Sequence, residues 1–294
     1  MTRAERIKIR HQRIQNRIAR GQRVQARSNA ASLVLDANVT TTTTTTEIPE
    51  PLAKDKLTIE VCIHCYNYQH RLDWMLSSIL QQKGDDVPDI VVNVSYTAGN
   101  GNPTTEEVCK FFKEQGLNVK ETVIEKAKAS NRGFARNIQV KGSTSDYMLF
   151  ADSDLVYDPL FFDDLHKKIK TKLWTVTMCM GADRVSLDDK FCIKYFSEED
   201  KTKYPCVIEN VAEITSKWPV KWISGKLVAP GFFQLARTSV IRKRGNIYVG
   251  RSRDVWRGTY SDRAFRMRMR GRVPIEVRPQ HHLNHDRGGP EIQR

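Results

Sequence analysis

Long apolar runs are missing from this sequence. No segment approaches the roughly 18 consecutive apolar residues needed to cross a bilayer. The basic N-terminal stretch is not followed by the apolar core of a secretory signal peptide. Heptad repeats of the kind that form coiled coils are absent as well. We therefore expect a cytoplasmic protein with no transmembrane segment.

Cysteine is also scarce, with six residues in a chain of 294. Only Cys62 and Cys65 lie at the spacing of a metal-binding pair, and no second pair completes a zinc site. Both fall within a predicted strand. The pattern favours small buried thiols in a reducing compartment.

Positive charge, in contrast, is abundant, and most of it lies towards the two ends of the chain. The net charge is +14: residues 1–27 carry +8, residues 228–294 carry +10, and the segment between them carries −4. The first segment has isolated Ile and Val side chains near helical spacing. Two interpretations stay open for this arm: a solvated tail, or a helix that becomes ordered on an anionic surface or nucleic acid.

A change of composition marks the start of the folded region. The run Thr40–Thr46 and the Pro-containing stretch after it have neither periodicity nor core-forming residues, which is typical of an extended linker. The pattern changes at Leu57. We predict a basic arm with a linker over 1–55 and one folded domain over 56–294.

Strands and helices alternate through the first part of this domain. β-branched and apolar runs predict strands, and apolar residues at intervals of three and four predict helices. Such alternation indicates an α/β fold, a mostly parallel central sheet with helices on both faces. Ligands of such sheets bind at the carboxyl ends of the strands. The predicted strands are 57–63, 89–96, 119–124 and 146–150, and the predicted helices are 72–80, 106–115 and 131–141.

Two carboxylates follow the fourth predicted strand directly, in the sequence Asp152-Ser153-Asp154. Carboxylates so close together repel each other unless a cation or hydrogen bonds compensate them. They form a hard-oxygen site suited to Mg²⁺ or Mn²⁺. The same triplet is common in turns and helix caps, so both interpretations stand when the triplet is considered alone.

Polar segments on either side of this triplet add to the pattern. Upstream, Ser130–Asn137 places two arginines and two asparagines around a glycine at a predicted helix start, which suits contacts to phosphate or sugar hydroxyls. Downstream, Asp262 lies within an Arg-rich stretch. His281, His282 and His285 follow, and they are either surface residues or ligands.

The order of these motifs resembles the family 2 glycosyltransferases and their relatives with the GT-A fold. The resemblance extends over about residues 57–287, and it depends on the order and spacing of the motifs together. The shared segments are Tyr66-Asn67, Ser78–Gln82, Asn131–Asn137, Asp152-Ser153-Asp154, Gly231–Phe233, Ser261-Asp262 and His282–His285.

This resemblance implies a nucleotide-sugar donor, a divalent metal, Mn²⁺ or Mg²⁺, and a glycan or other hydroxyl acceptor. It implies that Asp152 faces the ribose or sugar of the donor. It also implies that Asp154 binds the metal, with His282 or His285 as a further ligand.

Further roles follow from the same resemblance. Asp262 matches the general base of inverting members, which takes the proton from the acceptor hydroxyl. The implied donor contacts are Arg132, Arg136, Asn137 and Tyr66. Aromatic rings of Gly231–Phe233 would border the acceptor pocket.

The sequence departs from the family pattern at the second strand. An acidic residue that contacts the nucleobase usually follows this strand, whereas the strand here ends Asn93-Val-Ser-Tyr96. Tyr96 is an alternative residue for stacking on the base. The base-bearing motif also reads Ser261-Asp262 where Glu-Asp is usual.

Two other classes of function compete with a transferase. A nucleotidyltransferase usually carries a glycine-rich phosphate loop after the first strand, and the turn His64–Gln69 contains no glycine. A non-enzymatic protein that binds nucleic acid or an anionic surface through its basic regions is the main alternative. The ordered positions of Asp152, Asp154 and Asp262 argue against it, because a phosphate-binding surface does not need three carboxylates.

Overall fold

The computed structural model places part of the chain, and the description below is confined to that part. The described residues are 55–66, 68–99, 104–171, 176–179, 184–186, 203–211, 213, 233–245, 247–248, 265, 268–269, 273–275 and 280–282. The chain divides into two units, residues 1–47 and 48–294, and every described residue lies in the second. The basic arm therefore lies outside the described residues, and the predicted boundary near residue 55 stays a prediction.

A seven-stranded sheet forms the centre of the second unit. Its strand order is β3-β2-β1-β4-β8-β6-β9. The pairs β3/β2, β2/β1 and β1/β4 are parallel, whereas β8 is antiparallel to both of its neighbours. These strands are β1 Thr58–His64, β2 Asp89–Tyr96, β3 Val119–Val123, β4 Tyr147–Asp152, β6 Val176–Cys179, β8 Gln234–Arg237 and β9 Val273–Ile275.

A second, three-stranded sheet has the order β5-β10-β7. Its strands are β5 Leu155–Tyr157, β7 Arg184–Ser186 and β10 Gln280–His282. β5 begins three residues after β4 ends, so this sheet adjoins the carboxyl edge of the parallel strands.

Helices cover both faces of the large sheet, as the sequence predicted. The side chains of β1 alternate between two apolar clusters, with Val61 and Ile63 in one and Cys62 in the other. Helices α1, α2 and α4 contribute to the first cluster, and α3 and α5 contribute to the second. Their bounds are α1 Gln69–Leu80, α2 Thr105–Glu114, α3 Arg132–Gly142, α4 Phe161–Thr171 and α5 Thr238–Lys243.

Local sequence explains where several of these elements begin and end. Thr104 and Glu107 form a reciprocal capping box at the start of α2, which satisfies two N–H groups at this end of the helix. Gly116 follows the same helix with a positive φ of 93°, a conformation that glycine adopts without steric cost. Among the helices described, none is both long and apolar enough to cross a bilayer.

The expectation of buried thiols is confirmed for three cysteines. Cys62, Cys65 and Cys109 are free and buried, and Cys206 is free and half-buried. Phe161 and Phe162 of α4 are fully buried as well. These side chains belong to the core.

One carboxyl group in the core has no compensating contact. Asp73 of α1 is fully buried, and neither of its carboxyl oxygens has a hydrogen-bond partner in the described structure. Burial raises the pKa of Asp73 to about 8. An unfolded aspartate has a pKa of about 3.9, so the folded protein holds a proton that the unfolded chain releases between these values. Asp73 therefore favours unfolding increasingly as the pH rises from about 4 to 8.

We predict that Asp73→Asn stabilises the protein at neutral pH, because the amide has the same shape and does not ionise. The expected gain in unfolding free energy is about 2 to 4 kcal/mol at pH 7 and close to zero at pH 4. Urea unfolding at both pH values measures this. Asp164→Asn, which removes a surface carboxylate paired with Lys168, is the control and should not reproduce the pH-dependent gain. An equal effect of Asp73→Asn on the unfolding free energy at both pH values would show that the pKa of Asp73 is not raised as described.

Candidate active site

Asp152 ends β4 at the carboxyl edge of the parallel strands, and two arginines bind one of its oxygens. Arg132 donates from Nη1 to Asp152 Oδ1, and Arg136 donates from Nη2 to the same oxygen at 3.4 Å. The other oxygen, Oδ2, makes no hydrogen bond within the described part of the chain. The side chain is 27% exposed. Asp152 therefore presents a carboxylate oxygen at the edge where α/β sheets bind ligands.

Arg132 reaches this edge because α3 begins there. Asn131 caps the helix, and its Oδ1 accepts a hydrogen bond from Phe134 N at 3.0 Å. The helix start brings backbone N–H groups and a guanidinium to the carboxyl edge together. Both favour the binding of an anion such as a phosphate.

His64 supports the chain segment that precedes α3. It ends β1 and lies in register between Ser95 of β2 and Asp152 of β4. Its Nε2 lies 2.8 Å from Ala129 O, and its Nδ1 lies 3.1 Å from Ser95 Oγ. A neutral imidazole protonated on Nε2 donates to the Ala129 carbonyl, and its Nδ1 is then an acceptor. The single hydroxyl proton of Ser95 can reach either Nδ1 of His64 or Ile63 O.

The charge of His64 is suppressed by its surroundings. Burial, reinforced by the positive charges of Arg132 and Arg136, lowers the pKa of His64 to about 4. The unfolded value is about 6.5, so the unfolded chain binds a proton first as the pH falls. The stability that neutral His64 contributes is complete above pH 6.5 and is lost as the pH falls towards 4.

We predict that His64→Gln reduces the loss of stability between pH 6.5 and 4.5, because a glutamine amide can donate to Ala129 O without titrating. Thermal unfolding of both proteins across this range measures the effect. The difference in melting temperature between the wild type and His64→Gln should narrow or reverse as the pH falls towards 4.5. His70→Gln is the control, because His70 lies in α1 and packs on Tyr204. Parallel pH profiles for the wild type and His64→Gln would show that His64 does not titrate as described.

Asp154 lies two residues beyond Asp152, in the turn between β4 and β5, and it is 6% exposed. Strand β10 pairs antiparallel with β5, and His282 lies opposite Leu155, the residue that follows Asp154. Directly opposite residues in such a pair have Cα atoms about 4.5 to 5.5 Å apart. The fold therefore brings the backbone of His282 next to that of Asp154, although 128 positions separate them in the sequence.

The other predicted donor contacts have different surroundings. Arg136 is fully buried, so it contacts Asp152 from inside the protein. Asn137 binds the backbone of Tyr248 through both ends of its amide, at 2.7 and 3.1 Å. Tyr66 is half-buried just after β1. Donor contacts of Asn137 and Tyr66 stay predictions, and Arg136 would help to hold a donor through Asp152.

Two aromatic residues differ from their predicted roles. Tyr96 is 2% exposed and its hydroxyl donates to Glu121, so its ring is part of the core and does not stack on a nucleobase. Phe233 is fully buried against Phe161 and does not border a pocket. Both rings belong to the apolar cluster to which α1, α2 and α4 contribute.

Several predicted site residues lie outside the described part of the chain. These are Asn67, Gly231, Phe232, Ser261, Asp262 and His285. Within that part, no three His, Cys, Asp or Glu side chains come together as a metal site. The side chain of His282 is not among those described, so the predicted metal ligands remain a prediction.

The sequence did not single out three residues that the structure places around Asp152. His64 lies beside it in register, and Gln234 and Tyr248 contact Arg136 from behind. A histidine at the end of a predicted strand was the only local signal for the first. Gln234 and Tyr248 belong to distant segments whose pairing the sequence does not indicate.

Comparison with known families agrees with this geometry. Residues 60–194, from β1 to just beyond β7, match the family described as glycosyl transferase family 2. This region of the chain resembles glycosyl transferase family 2. The family 2 region contains Asp152, Asp154 and the arginines of α3, so the resemblance predicted from the motifs is confirmed.

Individual relatives extend the comparison. A curated relative of the family 2 region, glycosyltransferase GlyA of Streptococcus pneumoniae, is 31% identical over 161 residues, which make up 55% of this chain and 21% of that protein. The crystal structure of S. aureus TarS 1-349 in complex with UDP-GlcNAc superposes with a TM-score of 0.53 at 14% identity, covering 80% of this chain and 60% of that one. The complex with UDP gives 0.50 at 15% identity, covering 78% and 61%.

These values establish the fold. The chain has the GT-A architecture, a mostly parallel sheet with helices on both faces, as the sequence predicted. It spans about a fifth of the length of the curated relative that it matches.

Proposed function

We propose that this protein is a metal-dependent glycosyltransferase that moves a sugar from a nucleotide-diphosphate sugar to an acceptor hydroxyl. The observation that carries the proposal is Asp152, a carboxylate held by Arg132 and Arg136 through one oxygen at the carboxyl edge of the sheet. A hydroxyl-rich ligand with an anionic group matches this arrangement. The match of residues 60–194 to glycosyl transferase family 2 supports the same conclusion.

The donor's sugar or ribose would bind at Asp152 Oδ2, which can accept a hydrogen bond from a hydroxyl. The diphosphate would lie towards Arg132 and the start of α3, where charge and backbone N–H groups favour anions. Tyr66 and Asn137 complete the proposed donor contacts. S. aureus TarS 1-349, which shares the fold, has been crystallised with UDP-GlcNAc.

Asp154 and a histidine would hold Mn²⁺ or Mg²⁺. Carboxylate oxygen and imidazole nitrogen are both suitable ligands for Mn²⁺. The register of β10 against β5 favours His282, and His285 stays the alternative. When bound, the metal supplies positive charge to the diphosphate leaving group. Arg132 adds to this stabilisation from the protein side.

Asp262 is proposed as the general base that takes the proton from the acceptor hydroxyl as it attacks the anomeric carbon. One displacement by the acceptor inverts the configuration at that carbon. We assign this catalytic domain to residues 56–294 and the basic arm and linker to residues 1–55. The basic segments are proposed to contact an anionic surface or nucleic acid.

We predict that Asp154→Asn weakens Mn²⁺-dependent donor binding at least tenfold, because the neutral amide cannot replace the carboxylate as an anionic ligand of the metal. Calorimetry with a panel of nucleotide sugars, with and without Mn²⁺, measures this. Asp164→Asn should bind like the wild type. Binding of no nucleotide sugar by the folded wild-type protein would contradict the transferase proposal. Equal donor binding with and without metal would contradict the metal assignment alone.

We predict that Asp262→Asn lowers kcat by roughly 10²- to 10⁴-fold, the usual contribution of a general base, with donor affinity little changed. Turnover and donor binding are measured on the same preparation, and proton NMR of the wild-type product reports the anomeric configuration. Ser261→Ala is the neighbouring control. A variant that loses donor affinity instead of kcat would exclude the base assignment, and retention of configuration would exclude the inverting mechanism.

A further inference from the structure

Behind Asp152 lies a buried polar cluster formed by Arg136, Gln234 and Tyr248, which we call the Tyr248 cluster. All three side chains are at most 1% exposed. They come from α3, from β8 and from the segment after α5. None of them reaches the surface where a donor would bind, so any effect on the donor must pass through Asp152.

Arg136 is held on several sides. Its guanidinium carbon lies 5.6 Å from the centre of the Phe150 ring and 5.4 Å from that of Tyr248, so the cation lies among aromatic rings. Its Nη2 donates to Ala151 O at 3.2 Å and to Asp152 Oδ1 at 3.4 Å. Nη1 reaches Gln234 Oε1 at 3.5 Å. Arginine stays protonated in proteins, so this buried positive charge needs the carboxylate beside it.

Tyr248 is fixed at both ends. Its hydroxyl donates to Gln234 Oε1, the oxygen that also faces Arg136. Its backbone binds both ends of the Asn137 amide, and its ring stacks on Phe265 with centroids 5.6 Å apart. Arg136 and Asn137, which are adjacent in α3, thus both contact Tyr248. Arg136 lies against its ring, and Asn137 binds its backbone.

Contacts of this kind leave Arg136 little freedom to change rotamer. Because Arg136 and Arg132 both bind Oδ1 of Asp152, the orientation of Arg136 decides which carboxylate oxygen points outward. A donor hydroxyl then meets Oδ2 already oriented, without the entropy cost of fixing a mobile side chain.

We infer that Gln234 and Tyr248 are positioning residues of the donor site, which act by holding Arg136 against Asp152. This inference rests on the proposed function. In this arrangement Arg136, Gln234 and Tyr248 do not touch the donor, because all three are buried behind Asp152. The Tyr248 cluster contributes to donor affinity through the fixed geometry of a single carboxylate.

The first test is Tyr248→Phe, which removes the hydroxyl and keeps the ring beside Arg136 and Phe265. We expect the Kd of the nucleotide-sugar donor to rise about 5- to 20-fold, a typical effect of losing one hydrogen bond in a buried charged network. The kcat at saturating donor should change less than threefold. Tyr147→Phe is the matched control, because it removes a hydroxyl from a buried tyrosine at the opposite end of β4.

A double-mutant cycle with Asp152→Asn separates positioning from general loosening of the fold. If the hydroxyl acts through Asp152, Tyr248→Phe should change donor affinity less than twofold in the Asp152→Asn background. Additive effects in the cycle would overturn the inference, because the hydroxyl would then act independently of Asp152.

A second variant covers the case in which Tyr248→Phe does not fold. Gln234→Glu has nearly the same shape and places a carboxylate beside Arg136, where it competes with Asp152 for the guanidinium. Weaker donor binding by this variant, with an unchanged melting temperature, is the expected result, and wild-type affinity would overturn the inference. Binding of no nucleotide sugar by the wild type itself would overturn the proposed function and this inference together, whereas donor binding that is equal in the wild type and both variants overturns the inference alone.

Discussion

The contact between Arg136 and Asp152 is the interaction on which the candidate site depends. A guanidinium removed from water is strongly destabilising unless an anion and hydrogen bonds compensate it. Asp152 supplies the charge, and Ala151 O and Gln234 accept hydrogen bonds. The same contact fixes one oxygen of Asp152 inside the protein and leaves the other at the sheet edge. One ion pair therefore compensates a buried charge in the core and also leaves a carboxylate oxygen at the edge of the candidate site.

Parallel pairing then determines what lies beside that carboxylate. β1 is in register with both β2 and β4, so His64 lies between Ser95 and Asp152 at one edge. Hydrogen bonding of its neutral imidazole to Ala129 holds the segment that leads into α3. Since α3 carries Arg132, the position of one arginine depends on β1 and that of the other on the Tyr248 cluster. The two arginines on Asp152 share α3 but receive different additional support.

Much of this arrangement could be predicted from local sequence, and some of it could not. Apolar alternation located β1 to β4 and the helices between them within three residues, because the 2.0 and 3.6 periodicities are local properties. The burial of Arg136 and Tyr96 was not predictable, since both depend on which face of an element other segments cover. The pairing of β5 with β10 joins Leu155 to His282, and no local pattern encodes so distant a contact.

The end of β2 shows why the family's usual acidic residue is absent here. Ser95 donates to Ile63 O and faces His64, while the Tyr96 hydroxyl binds Glu121, so both side chains support neighbouring strands. A carboxylate at Ser95 would face the carbonyl of Ile63 without a proton to donate. At this position the side chains at the sheet edge bind neighbouring strands. The contacts proposed at Asp152 and Arg132 recognise hydroxyl and phosphate groups, which all nucleotide sugars share. Under the proposed function, discrimination between nucleobases would therefore come from residues other than these two and the end of β2.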